Sequence, residues 1–275
     1  MLASVRSLRK EALGSSDRVF MRNTLLALTA MTIASSAGAA DVCRATSAST
    51  LRPLVELYTS EGCSSCPPAD RWLSKQFPLE RADGPIALAF HVDYWDRLGW
   101  KDRFATPAYT ARQNQAMRAN RATFVYTPQV LLQGRDYPNW RRGSLERDLA
   151  SASSRLPRAR LQMNAEVTPS AIEADIQVTV DAPAKSLMVA LAYADSGLVS
   201  DVKSGENSGE RLRHDHVVRS FATQELKADR SNVKLKVTRP SEHGSNATLV
   251  AFVQDAANGE VLQTLAMPLR DCAMR

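Results

Sequence analysis

The sequence predicts an α/β domain followed by an all-β, sandwich-like domain. Up to about residue 153, short apolar runs typical of strands alternate with segments of helical periodicity, a pattern typical of an α/β layer with some parallel pairing. From about residue 161, apolar and polar residues alternate with a period of two between clusters of Gly, Pro, Asp and Ser, as in antiparallel sandwiches. We therefore place a signal or leader region at 1–40, the α/β domain at 41–155 and the all-β domain at 156–275.

In the α/β half, three strands and three helices are expected. Two prolines open the helix at 67–77, which is tolerated because the N–H groups of a first helical turn have no partner to lose. Thr106 is the expected N-cap of the helix at 107–119. The run at 86–92 is almost entirely apolar and suits a strand buried on both faces. The predicted strands are 54–58, 86–92 and 124–132, and the predicted helices are 67–77, 107–119 and 140–153.

The all-β half is predicted from period-2 or continuously apolar runs. Residues 203–215 are polar and are expected to form a long loop. The predicted strands of this half are 161–167, 172–180, 187–193, 233–237, 247–253 and 261–267.

The N-terminus has the features of an export signal. Arg22 precedes an apolar run at 25–33, and Ala37-Gly38-Ala39 fits a small-x-small cleavage pattern. The run is shorter than the roughly 20 apolar residues that span a bilayer, so we expect no stable membrane insertion after cleavage and a periplasmic or secreted protein. A short buried helix or an uncleaved anchor are the alternatives. The net charge of +6 forms no basic stripe interleaved with aromatic residues, which argues against nucleic-acid binding.

Export bears on the cysteines, because disulfides persist in oxidising compartments. Cys43 follows the signal region and Cys272 lies three residues from the end of the chain. We expect these two cysteines to form a structural disulfide that ties the termini together, with two free thiols as the alternative.

Cys63 and Cys66 form a C-x-x-C motif between a predicted strand and a predicted helix start. A helix N-terminus offers unpaired N–H groups and a partial positive charge, which favour a thiolate. Cys63 is therefore the expected nucleophile and Cys66 the expected resolving thiol. A structural bridge and half of a metal site are the alternatives, but a metal site needs about four ligands and the chain has four histidines in all. We predict no metal and no other cofactor.

Thr127 and Pro128 open the third predicted strand. X–Pro bonds are the common cis peptides, and a proline here removes an N–H from the sheet edge. A substrate strand could then pair with the free backbone groups of Thr127, beside the cysteines.

Four further side chains are candidates for a groove around Cys63. His91, Asp93 and Trp95 lie at the carboxyl end of a predicted parallel strand, the edge where open α/β sheets place ligands. Asp93 or Glu61 could exchange a proton with Cys66. The alternative is that Asp93 caps a turn and Trp95 packs in the core.

His214 and His216 share one face of a predicted extended segment. We interpret them as a surface or interdomain pair rather than a set of ligands.

Four stretches carry a resemblance to known proteins. C-S-S-C with a following proline, and T-P before a strand, resemble the thioredoxin fold over roughly residues 52–150. The chain is more similar to a bacterial family of exported thioredoxin-like proteins that is catalogued only as a domain of unknown function. The resemblance rests on GCSSCPPAD (62–70), HVDYWDRLGWKD (91–102), YTPQ (126–129) and RLRHDHVVR (211–219).

The resemblance implies functional roles for Cys63, Cys66 and a cis Pro128. The chain departs from thioredoxin at Ser64 and Ser65, where thioredoxin has Gly-Pro, and it lacks the preceding tryptophan. The implied function is an exported thiol–disulfide oxidoreductase acting on protein or small thiol substrates, with no redox partner identified by the sequence. A non-catalytic binding or assembly protein is the main alternative, and a peroxide-reducing enzyme is a third.

Overall fold

The structure, a computed structural model, describes residues 41–79, 84–181, 186–244 and 246–272. The predicted leader at 1–40 lies outside these residues. The strands are β1 (Asp41–Thr46), β2 (Leu54–Thr59), β3 (Ile86–His91), β4 (Gln129–Leu132), β5 (Arg135–Asp136), β6 (Ala159–Val167), β7 (Ala171–Val180), β8 (Leu187–Asp195), β9 (Leu198–Asp201), β10 (Arg211–His214), β11 (Val217–Glu225), β12 (Arg230–Thr238), β13 (Thr248–Asp255) and β14 (Val261–Pro268). The α-helices are α1 (Pro67–Gln76), α2 (Pro107–Ala119) and α3 (Leu145–Ser153), and short 3₁₀ turns occupy Asp96–Leu98, Trp140–Arg142 and Leu269–Asp271.

An eight-stranded mixed sheet runs through the protein in the order β14-β13-β8-β11-β3-β2-β4-β5. β2 and β3 are parallel, and β11 joins β3 in parallel where Val217 faces Ala89. A backbone bond from the Ala89 amide to the His216 carbonyl, 2.8 Å, extends this junction. Strands from both halves of the chain therefore share one hydrogen-bonded ladder.

The predicted fold class is wrong. Among the residues that the structure describes, strands account for 42% and helices for 18%, and the strands form three sheets. The protein is therefore mostly β and not an α/β thioredoxin-like domain followed by a separate sandwich. The physical reason is the β3–β11 junction: the edge of β3 that an isolated α/β layer would expose is covered by a strand from the second half. The described residues all belong to one compact unit.

A four-stranded sheet, β1-β6-β7-β12, packs on one face of the large sheet. β6 shows the expected alternation, since Leu161 and Met163 are buried while Arg160 and Gln162 are exposed. Each fully buried side chain of this kind contributes about 1.5–3 kcal/mol, so the alternation sets which face of β6 is turned inward. The helices α1 and α3 pack against β2, β3 and β4 on one face of the large sheet, and α2 packs on the opposite face.

Local signals account for the helix starts. Thr106 caps α2 by accepting a hydrogen bond from the Ala108 amide, with Pro107 in the first turn. Pro67 and Pro68 open α1, and Cys66 is its N-cap residue. The run at 124–132 forms a strand only from Gln129. None of the helices that the structure describes is long and apolar enough to cross a membrane.

Candidate functional site

The site is built around a disulfide at the junction of β2 and α1. Cys63 and Cys66 are bonded to each other, with Cα atoms 5.4 Å apart. The Cys66 carbonyl accepts hydrogen bonds from the amides of Ala69 and Asp70, so Cys66 belongs to the first turn of α1. Both cysteines are fully buried, whereas Ser64 and Ser65 between them are exposed.

Thr127 and Pro128 lie beside this disulfide, and their peptide bond is cis. The Thr127 hydroxyl donates to the Cys63 sulfur at 3.4 Å and accepts a hydrogen bond from the Trp95 indole N–H at 2.8 Å. The structure therefore brings together Cys63, Cys66, Thr127, Pro128 and Trp95, although the two motifs are more than sixty residues apart in the chain.

Glu61 and His91 belong to a buried network that also includes Asp102 and His214. The His91 Nδ1 atom lies 2.7 Å from Asp102 Oδ2, and the same oxygen accepts from the Glu61 amide at 2.9 Å. The His214 Nε2 atom lies 3.2 Å from Glu61 Oε1, outside hydrogen-bond geometry. All four side chains are buried. They are shielded from water and do not form the wall of an open groove.

Burial and the neighbouring groups shift the pKa values in this network in opposite directions, and the neighbouring groups have the larger effect. Burial alone would lower the pKa of His91, but the Asp102 carboxylate outweighs it and raises that pKa above its usual value. Burial alone would raise the pKa of Asp102, but the His91 charge and hydrogen bond hold it below its usual value. For Glu61, burial is likewise outweighed by the contact with His214 and by hydrogen bonds, including one from the Trp100 indole, and its pKa is lowered. The network therefore favours ionised carboxylates facing a protonated His91.

The stability that this network provides is expected to depend on pH. The pKa values of Asp102 and Glu61 are lowered on folding, so their contribution is present above about pH 4 and is lost as the pH falls through the folded values. The pKa of His91 is raised, so its contribution is complete below about pH 6.5 and is lost as the pH rises through the folded value. The loss of unfolding free energy caused by His91→Gln, measured by urea unfolding, should be largest between about pH 4.5 and about pH 6.5.

The exposed His243 provides the control for this measurement. The difference in unfolding free energy between the wild type and His243→Gln should stay flat across the same pH range. A cost of His91→Gln that does not vary with pH would contradict the assignment of opposite charges to His91 and Asp102.

Asp93 is bound to α2 rather than to the cysteines. The Asp93 carboxylate accepts a hydrogen bond from the Thr110 hydroxyl group. The Asp93 backbone amide donates a hydrogen bond to the oxygen of that hydroxyl group. This geometry matches the alternative in which Asp93 holds a turn.

The loop at 202–210, which connects β9 to β10, lies against the C-x-x-C segment. The Asn207 side-chain amide donates to the carbonyls of Glu61 at 2.8 Å and Cys63 at 3.0 Å. The Glu206 carboxylate accepts from the Ser64 amide at 3.0 Å. Gly205 has a φ of +77°, and a Cβ added there would lie 3.1 Å from the Cβ of Trp100. A close backbone approach thus brings this loop to the site.

Sequence reasoning missed several residues of the site: Trp100, Asp102, Glu206, Asn207 and His214. Asp102 closes the HVDYWDRLGWKD stretch and His214 lies in RLRHDHVVR, so both motifs contained the signal, but pairing between them is not visible in one sequence. His214 was expected in a surface or interdomain pair with His216. It is not at the surface, since it is 2% exposed, and it contacts Glu61 and His91 of the first half of the chain from β10 in the second half. His216 lies after β10 with a φ of +59°, and its Nε2 atom lies 2.7 Å from the Phe77 carbonyl oxygen.

A second disulfide joins Cys43 in β1 to Cys272, 229 positions apart in the sequence. It lies at the edge of the core between the two large sheets, and Cys43 is 4% exposed. Within the described residues, no three or more His, Cys, Asp or Glu side chains are grouped so as to hold a metal ion.

Comparison with known proteins gives a family model that matches this chain and solved structures that are similar to it. The family model described as "Protein of unknown function (DUF1223)" matches residues 54–254. A structural-genomics crystal structure of a protein from Agrobacterium tumefaciens is 26% identical, with a TM-score of 0.54, and the match covers 82% of this chain and 97% of that one. HBP35 of Porphyromonas gingivalis is 16% identical, with a TM-score of 0.59 over 82% of this chain and 77% of that one, and shows similarity of fold alone. Among curated proteins, none matches this chain.

Proposed function

Because this chain belongs to the DUF1223 family, whose members are described as proteins of unknown function, we propose a function from the site: a thiol–disulfide oxidoreductase that uses Cys63 and Cys66. The observation that carries the proposal is the disulfide at the first turn of α1, with the Thr127 hydroxyl donating to the Cys63 sulfur. A thiolate is stabilised at a helix N-terminus, and such cysteines exchange with other thiols at neutral pH. The predicted membership in a family of unknown function is confirmed by the family model. The reaction is our proposal.

The exchange proceeds in two steps that conserve atoms and electrons. A substrate thiolate attacks the Cys63 sulfur, a new substrate–Cys63 disulfide forms, and Cys66 leaves with the electron pair of the broken bond and takes up a proton. A second substrate thiolate then attacks the substrate sulfur and releases Cys63 as a thiolate. The substrate dithiol is oxidised, the Cys63–Cys66 pair is reduced by two electrons, and the reverse sequence reduces a substrate disulfide.

The substrates of this reaction are proteins or small molecules that carry thiols or disulfides. The electrons pass between sulfur atoms, so the reaction requires no other cofactor. A second thiol–disulfide couple must return the pair to its starting state, and this couple is the redox partner that the proposal requires.

A non-catalytic binding or assembly protein is the second candidate. One observation favours it: both Cys63 and Cys66 are 0% exposed, so no thiol can reach the sulfur without local movement. In this reading, the Cys63–Cys66 disulfide is a structural bridge.

Equilibration with glutathione separates the two functions. For an oxidoreductase, the Cys63–Cys66 pair should equilibrate in native protein with a potential between about −270 and −120 mV, read by alkylation and mass spectrometry. Cys63→Ser should reduce insulin-disulfide turnover to background, and Cys66→Ser should accumulate a mixed disulfide on Cys63. The Cys43–Cys272 disulfide serves as an internal reference and should stay oxidised where the other pair is half reduced. A Cys63–Cys66 bond that resists glutathione until the protein unfolds would favour the binding protein.

We also propose that the protein works in the periplasm or outside the cell. The Cys43–Cys272 disulfide supports an oxidising compartment, together with the apolar run at 25–33 and the small residues after it. Fractionation of cells that express the full chain, with the mass of the mature protein, tests this. A cytoplasmic protein of unchanged mass would contradict it.

A further inference from the structure

We propose that Glu206 is a positioning residue that opposes the formation of the Cys63 thiolate and so makes the Cys63–Cys66 disulfide harder to reduce. This inference rests on the proposed function, because the ease of reduction matters only if the pair exchanges electrons. Glu206 comes from the 202–210 loop, far from the cysteines in sequence, and it has no part in the exchange steps themselves.

The Glu206 carboxylate lies against the segment between the two cysteines. One oxygen of Glu206 lies 3.0 Å from the amide nitrogen of Ser64, the residue that directly follows Cys63. Ser64 lies in the turn between the two cysteines, before α1 begins at Pro67. An N–H group beside a thiol can stabilise the thiolate by donating a hydrogen bond to it. Glu206 occupies the Ser64 N–H with its own negative charge.

Glu206 carries a negative charge in this position. The backbone and side-chain hydrogen bonds from Ser64 lower the pKa of Glu206 below its usual value, so the carboxylate is ionised at neutral pH. A like charge near a thiol disfavours its ionised form. Since Glu206 is exposed, solvent screens this repulsion, and we expect a shift in the thiol pKa of about 0.5–1 unit rather than several units.

Hydrogen bonds on both sides of Glu206 hold the 202–210 loop in place. Asn207 donates to the carbonyls of Glu61 and Cys63, and the Ser204 hydroxyl donates to the Gly99 carbonyl at 2.6 Å. Asn207 is 6% exposed, so its two hydrogen bonds are shielded from water. The bonds of Ser204 and Asn207 flank Glu206 and fix its carboxylate on the Ser64 amide.

The other charged groups near the segment lie on different elements. These titratable side chains interact with one another: Asp70 from α1, His91 from the end of β3, Asp102 from the loop before α2, His214 from β10 and Glu61 from the turn after β2. Among the residues that the structure describes, Glu206 is the carboxylate bonded to an amide between the two cysteines.

The chemical consequence follows from the redox balance. The disulfide takes up two electrons to become two thiols or thiolates, so any group that destabilises the thiolate disfavours the reduced state. Stabilising the reduced form makes a dithiol pair a stronger oxidant. Removal of the Glu206 charge should therefore shift the pair toward the more oxidising end of the range.

The test compares Glu206→Gln with the wild type and with Glu210→Gln in the full chain. Glu210 is exposed on the same loop, so its variant removes an equal charge from a position without a bond to the cysteine segment. The Cys63 pKa is measured in reduced protein from thiolate absorbance and from the pH dependence of alkylation at Cys63. The reduction equilibrium is measured against glutathione, at low salt and at about 1 M salt, where the Debye length falls to about 3 Å.

We expect Glu206→Gln to lower the Cys63 pKa by about 0.5–1 unit and to favour the reduced pair by about 3- to 10-fold, with both effects smaller at high salt. A merely structural role of Glu206 would not produce a salt-screened shift. An unchanged Cys63 pKa, or an equal shift in Glu210→Gln, would overturn the inference. Because the pKa is measured without substrate, a protein that lacks exchange activity but shows the shift would sink the proposed function and leave this inference standing.

Discussion

Replacement of Arg112 by alanine is expected to lower the free energy of unfolding by about 3–5 kcal/mol, because it leaves a buried carboxylate without its partner. Arg112, on α2, donates from Nη2 to both oxygens of Glu56, at 2.8 and 3.0 Å. Glu56 lies in the middle of β2, and its side chain is 1% exposed. The Tyr58 hydroxyl donates to the same carboxylate at 3.0 Å.

The surroundings of Arg112 make the cost large. Its guanidinium lies 4.9–5.3 Å from the ring centres of Phe90, Phe221 and Phe252, so the charge is enclosed by aromatic faces. These rings come from β3, β11 and β13, so the ion pair sits where strands of both halves meet. Truncation would remove these contacts and leave the Glu56 carboxylate, 1% exposed, with the Tyr58 hydroxyl as its hydrogen-bond donor.

Urea or thermal unfolding measures the effect, with Arg118→Ala as the matched control. Arg118 lies on the same helix but is exposed, and its replacement should change stability by no more than about 0.5 kcal/mol. Replacing both partners by apolar residues, as in Glu56→Leu with Arg112→Met, should restore much of the loss, since neither charge is then buried. An Arg112→Ala variant within about 1 kcal/mol of the wild type would show that Glu56 is neutral or hydrated in the folded protein.

The parts of the fold that sequence reasoning predicted are those controlled by neighbouring residues. Thr106 and Pro107 set the start of α2, and the alternation in β6 sets its inward face. The β3–β11 junction was not predictable in this way, because Val217 and Ala89 are 128 positions apart and each strand has apolar residues that would suit several neighbours. The wrong fold class follows from that one unseen pairing.

In the candidate site, as in the fold, features set by neighbouring residues were predictable and contacts between distant residues were not. The placement of Cys63 and Cys66 at a strand–helix junction follows from local periodicity and from the prolines after them. Asp102 and Asn207 were missed because polar residues in a sequence are expected at the surface, and their burial is favourable only when partners from distant segments satisfy them. Proximity to the strand end predicted Asp93 as a site carboxylate, but it bonds to α2, whereas Asp102 faces His91.

The two disulfides should separate stability from exchange. In the chain-entropy model, a crosslink between positions 229 apart stabilises the folded state by about 5 kcal/mol, whereas one between positions 3 apart contributes roughly 2 kcal/mol. We therefore expect Cys43→Ser with Cys272→Ser to lower the free energy of unfolding by up to about 5 kcal/mol while the folded protein retains thiol–disulfide exchange.

The complementary variant, Cys63→Ser with Cys66→Ser, should abolish exchange at a smaller cost in stability, because the loop that it opens is short. Denaturant unfolding and the insulin assay, run on both double variants, form a two-by-two comparison in which each disulfide controls the other. If loss of the Cys63–Cys66 bond destabilised the protein as much as loss of the Cys43–Cys272 bond, the short disulfide would have a structural role. In the folded Cys43→Ser, Cys272→Ser protein, a loss of exchange would instead show that the distant crosslink holds the Cys63 site in its working geometry.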